Sequence, residues 1–206
     1  MCLMWMRMPG QTWFASTTGF LLMWLAMMVA MMLPSALPTF LSTKRGPVSL
    51  SVMATGYFAT WLAVGAGLYA VGIAFAAATM HWQTFSRAVP VLSGAALIAA
   101  GVFQFTRWKN TALFRCRSPF GCLPACPERE TDFRLGCKQG AACCLCCVAP
   151  MMIQLVLGMM NPLVMVGVAI VIAAEKILPR PEIMARIVGI AAIVFGITLI
   201  IHKVAQ

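Results

Sequence analysis

Residues Leu50 to Thr79 form a run of thirty residues without a charge, long enough to cross a lipid bilayer with some tilt. Shorter apolar runs lie on either side of it, so the chain reads as a polytopic membrane protein. The composition agrees. With 62% hydrophobic and 10% charged residues, a soluble domain with a wetted surface is excluded. The net charge of +10 then belongs to loops and headgroup-facing positions, not to a nucleic-acid groove.

The expected fold is all-α, a transmembrane helix bundle of about six spans forming one integral membrane domain over residues 1–206. Spans are expected near 14–33, 50–79, 89–106, 141–159, 162–178 and 184–202, with a polar, Cys-rich, basic loop over 107–140 between spans three and four. The first span should end at Pro34, with Pro38 blocking continuation, and Pro90 should start the third. Pro34 and Ala36 make a poor signal-peptide cleavage site. Gly56, Gly65, Gly67 and Gly72 mark the second span as a packing helix, since small residues let helices approach closely in lipid. Trp82 and Trp108 suit the interfacial belt. Asn161-Pro162 reads as a helix cap followed by a first-turn proline.

Six spans with both termini outside would place Lys44, Arg45, the seven basic residues of the 107–140 loop, Lys176, Arg180 and Arg186 in the cytoplasm. Only Arg7, Arg87 and Lys203 would then lie outside, the bias that the positive-inside rule describes.

The chemistry concentrates in Cys143-Cys144-Leu145-Cys146-Cys147, which opens an apolar run at the expected mouth of the fourth span. On a helix, Cys143, Cys146, Cys147, Pro150, Met151 and Gln154 share one face, with Cys144 about 100° round from Cys143. Cysteine often packs as a small apolar residue, but four in five positions offer one ion two or three thiolates. In the first span, Met23, Met27 and Met31 recur every four residues, with Met28 and Met32 on the adjacent stripe. Such a stripe is ordinarily packing; it gains weight as a thioether track if it faces the cysteine helix.

Thiolate with thioether selects Cu(I), which accepts two or three sulfurs. Zn(II) is the alternative, held by Cys116, Cys122, Cys126 and Cys137, although none of these has the close two-residue spacing of strong zinc patterns. Haem has no support, because Cys-x-x-Cys-His is missing and the histidines, His81 and His202, sit at span ends. Cys143-x-x-Cys146 and Cys144-x-x-Cys147 also have dithiol redox spacing, but thiols facing a reducing cytoplasm more often bind metal. An enzyme is disfavoured: no carboxylate lies mid-span and no nucleophile stands beside a histidine. Glu175, at a helix end, is expected to pair with Lys176 or a neighbouring basic residue.

Ala30-Met31-Met32-Leu33-Pro34, Cys116-Arg117-Ser118-Pro119, Cys143 with Cys146-Cys147, Gly158-Met159-Met160-Asn161 and Glu175-Lys176 follow one another between residues 20 and 180. In that order they resemble a bacterial family of unknown function described as predicted metal-binding integral membrane proteins. The resemblance implies a multi-pass protein of the bacterial inner membrane. It also implies the ligand candidates Cys116, Cys143, Cys146 and Cys147, joined by Met31, Met32, Met151, Met160 and Asn161; Cys144 is an additional thiol of this chain. Gln139 stands where that family commonly has histidine and Val148 where it commonly has tryptophan, which argues against an imidazole ligand. The expected partners are the lipid bilayer and a metal donor or acceptor protein. Two other uses compete with metal storage, delivery or transport: an accessory subunit of a larger membrane complex, and a thiol-disulfide oxidoreductase.

Overall fold

The computed structural model describes residues 12–41, 46–117, 131–158, 161–178 and 181–204, with side chains described for all of these except 83–87, 203 and 204. Among them the chain forms seven helices: α1 (Trp13–Leu41), α2 (Pro47–His81), α3 (Gln83–Phe103), α4 (Arg107–Arg117), α5 (Asp132–Leu157), α6 (Pro162–Ile177) and α7 (Pro181–Val204). Lys44, Arg45 and the loop residues 118–130 lie outside the described residues.

The all-α bundle is as expected, and several boundaries differ. Four helices, α1, α2, α5 and α7, are long and apolar enough to cross a membrane. A fifth span results if α3 and α4, bent by 68° at residues 104–106, count as one. The fifth expected span, 162–178, corresponds to α6, whose 16 residues reach only ~24 Å at 1.5 Å per residue, short of a ~30 Å hydrocarbon core.

Helix α1 does not stop at Pro34 but runs through Pro34 and Pro38 to Leu41, and α3 similarly contains Pro90. A proline removes one backbone hydrogen bond, which packed neighbours can compensate inside a bundle. The expected loop is also largely helical, as Arg107–Arg117 is α4 and residues 132–140 are the opening turns of α5. Lys109, Ala112, Leu113 and Cys116 are the buried residues of α4, a stripe at helical spacing. Counting Lys109 as a loop charge hides that stripe.

Helices α2 and α5 lie side by side and parallel, because Met53 meets Gly136 and Tyr57 meets Gly140 and Cys143. α1 runs antiparallel to α2, with Trp24 Nε1 donating to the Trp61 carbonyl at 2.9 Å and Phe20 stacked on Tyr69 at 4.8 Å. The α3–α7 pair is antiparallel and crosses at Gly101 against Gly189 and Gly94 against Gly196. The core therefore lies among α1, α2, α4, α5 and α6.

The register of α5 depends on Gly136, where an added Cβ would run into the backbone carbonyl of Met53. Gly136→Ala is expected to destabilise the bundle by about 1–3 kcal/mol, the usual range for overpacking. Gly67→Ala, with nothing within 4 Å of the added carbon, should leave thermal unfolding in detergent unchanged or raise its midpoint. Equal midpoints for the two variants would contradict this packing.

Candidate metal centre

The helical reading of the cysteine block holds, but the block is not at a mouth. It lies in the interior of α5, about three turns from Asp132. α5 buries Gln139, Cys143, Cys146, Cys147, Pro150 and Gln154, the face expected from spacing, extended upstream to Gln139. Met151 is half-buried at its edge, and Cys144 sits half-buried on its flank.

α4 adds the fourth thiol. The Sγ atoms of Cys116, Cys143 and Cys146 all lie within 4.8 Å of one another. Cys147 Sγ is 3.5 Å from Cys146 Sγ and 3.9 Å from Cys143 Sγ. From α1, Met32 brings its Sδ to 3.9 Å from Cys143 Sγ. The methionine stripe thus does meet the cysteine helix, through Met32 and Met27, while Met28 and Met31 are buried in the same core and Met23 is only partly buried. Met31 is buried beside Met32, and one level along α1 the Sδ of Met27 accepts from Gln154 Nε2 at 3.4 Å.

These sulfurs suit one ion. Three sulfurs bonded at about 2.3 Å are ~4 Å apart in a plane and slightly closer at tetrahedral corners. The observed 3.9 Å falls in that range, and the 3.5 Å between Cys146 and Cys147 is a few tenths of an ångström short of it. The thiols of Cys143, Cys146 and Cys147 are at most 1% exposed.

Cys143 is the hub. Besides its sulfur neighbours, its Sγ receives Lys176 Nζ at 3.1 Å and Tyr57 Oη at 3.0 Å. Lys176 Nζ donates also to Ser35 Oγ at 3.0 Å. An ammonium has donors only, so toward Lys176 the Cys143 sulfur is the acceptor.

A second polar group braces the cluster. Pro150 has no N–H, so the carbonyl of Cys146, four residues earlier, loses its helical partner. Lys109 Nζ donates to that carbonyl and forms an ion pair at 2.7 Å with Glu175 Oε2. Gln104 Nε2 occupies the other carboxylate oxygen at 3.1 Å, and Arg117 Nη1 reaches the Glu175 carbonyl at 3.3 Å. Glu175 therefore pairs with Lys109 and not with Lys176, because successive residues at the end of α6 point to different neighbours. Gln139 Nε2 caps the carbonyl of Cys116 at 2.9 Å, at the open end of α4.

Other sequence candidates are placed elsewhere. Cys137 Sγ turns to the Gly56 carbonyl of α2 at 3.4 Å while Cys116 joins Cys143 and Cys146, so the loop set considered for Zn(II) is divided. Its remaining members, Cys122 and Cys126, lie outside the described residues, as do Met159 and Met160. Asn161 caps α6, its Oδ1 accepting from Leu163 N at 3.0 Å, so it serves the helix end and not the cluster. Sequence reasoning does not single out Lys176 as a cluster residue, nor Tyr57 or the Lys109–Glu175 pair.

Four thiols and a thioether gathered inside an apolar helical bundle define a protein that binds a soft metal. The chain belongs to the PpoB2 copper chaperone family, which it matches over residues 21–199. That membership agrees with the resemblance carried by the motifs between residues 20 and 180. Neither a curated protein nor a solved structure matches the chain.

Proposed function

We propose that the protein is a membrane-embedded carrier of Cu(I), which holds the ion among Cys143, Cys146, Cys147 and Cys116 and delivers it to a protein acceptor. The observation that carries this reading is the convergence of three helices, α1, α4 and α5, on one sulfur cluster. Cu(I) is favoured over Zn(II) because the donors within reach are thiols and a thioether, and Cu(I) is satisfied by two or three of them. Burial of the thiols supports metal holding over disulfide exchange, since exchange needs a sulfur open to attack by a second thiol. We place the protein in the bacterial inner membrane with the 107–140 region toward the cytoplasm, on the basic residues that the bundle leaves exposed, such as Arg107 and Arg115. Lys109 and Lys176 are buried and partnered, so they do not belong in that count.

Delivery, storage and transport separate in proteoliposomes loaded anaerobically with Cu(I). Delivery predicts that bicinchoninate added outside withdraws about one Cu(I) per accessible chain while a chelator trapped in the lumen stays uncoloured. Colour in the lumen would make the protein a transporter, and refusal to yield copper to either chelator would make it a store.

A further inference from the structure

Lys176 sets a cation against the sulfur cluster. Its Nζ lies 3.1 Å from Cys143 Sγ and 3.0 Å from Ser35 Oγ, at the end of a side chain 9% exposed. Ser35 contributes no charge. Of the other cations near the cluster, Lys109 is matched by Glu175 at 2.7 Å, and Arg117, half-buried at the end of α4, turns its guanidinium to the Glu175 carbonyl at 3.3 Å. Among the described residues at the cluster, Lys176 is therefore the cation whose charge falls on the sulfurs.

We infer that Lys176 is a specificity-determining residue that makes this a site for one monovalent soft cation held by two thiolates, and that it discriminates against divalent ions of equal softness. The inference rests on the copper-carrier reading and narrows it. Two thiolates carry two negative charges, balanced by one from Lys176 and one from a monovalent ion. A divalent ion on the same two thiolates leaves one positive charge uncompensated in a low-dielectric interior, where such a charge is strongly disfavoured. The further thiols and Met32 then act as neutral donors. Before loading, Lys176 faces Cys143 alone, so the pair is balanced; on loading, the ion takes the place of one proton on a second thiol, and the site keeps its net charge. Lys176 thus touches a ligand but is not one itself, since its ammonium has no lone pair to give.

Ag(I) and Cd(II) are both soft and differ in charge, which makes them the probes. Full-length protein in detergent under anaerobic conditions is titrated with each ion, and with Cu(I), for wild type, Lys176→Met, Lys176→Gln and Lys176→Arg. Wild type should prefer Ag(I) to Cd(II). The two neutral variants should shift that ratio toward Cd(II) by roughly 100-fold, the scale expected when a buried charge loses its partner, and Lys176→Arg should keep it. An unchanged ratio in either neutral variant, or a wild type that prefers Cd(II), overturns the inference while leaving the carrier reading intact. A wild type that takes up neither Cu(I) nor Ag(I) overturns the carrier reading itself, and the inference with it.

Discussion

Replacing Cys143, Cys146 and Cys147 together by serine removes Cu(I) binding, taking anaerobic uptake from about one ion per chain to none. Serine keeps the size of the side chain but replaces a soft sulfur by a hard hydroxyl, which is a poor donor to Cu(I). The three sulfurs lie within 3.9 Å of one another along the chain of contacts Cys143–Cys147–Cys146, and the thiols left on α5 lie off that face, Cys137 turned to the Gly56 carbonyl and Cys144 on the half-buried flank. Cys116 alone, with Met32, cannot replace them. Among single changes, Cys143→Ser should have the largest effect, because Cys143 also holds Lys176, Tyr57 and the approach to Met32. Cys144→Ser, on the half-buried flank, should bind as wild type does. Copper retained by the triple variant would mean that the cluster is packing and that the ion lies elsewhere.

The second large effect concerns the brace. Lys109→Met leaves the Glu175 carboxylate buried without its cation and the Cys146 carbonyl, already deprived of a partner by Pro150, without any donor. Breaking a buried ion pair from one side costs about 3–5 kcal/mol, enough to lower the thermal midpoint in detergent by many degrees. The double variant Lys109→Met with Glu175→Gln should recover part of that loss, since removing both charges leaves none unpaired. Gln104 would still have an oxygen to donate to, that of the amide introduced by Glu175→Gln. A double variant as unstable as Lys109→Met alone would show that the pair is not the source of the stability.

Much of the site is legible in the sequence because helical periodicity governs it. Cys143, Cys146, Cys147, Pro150 and Gln154 share a face by spacing alone, and α5 buries that face. Asn161 and Pro162 open α6 as their cap and first-turn chemistry requires. What escapes is set by tertiary contact. A proline reads as a helix end, yet Pro34, Pro38 and Pro90 all sit inside helices. In lipid the alternative to a strained helix is an unsatisfied backbone, which is worse. α4 is hidden for a related reason: its buried stripe begins with Lys109, and a lysine counts as solvent-facing until its partner, 66 residues further on, is known. The same holds for Lys176, which a charge count assigns to a loop and the fold sets against Cys143. A buried cation in an apolar bundle is a functional signal, but sequence alone does not distinguish it from a snorkelling one.

The most direct measurement is elemental analysis with X-ray absorption on wild-type protein purified anaerobically in detergent and loaded with Cu(I). The account predicts about one copper per chain, coordinated by two or three sulfurs at roughly 2.3 Å, with no nitrogen scatterer. Failure to take up Cu(I), or an ion bound through nitrogen or oxygen, would contradict it.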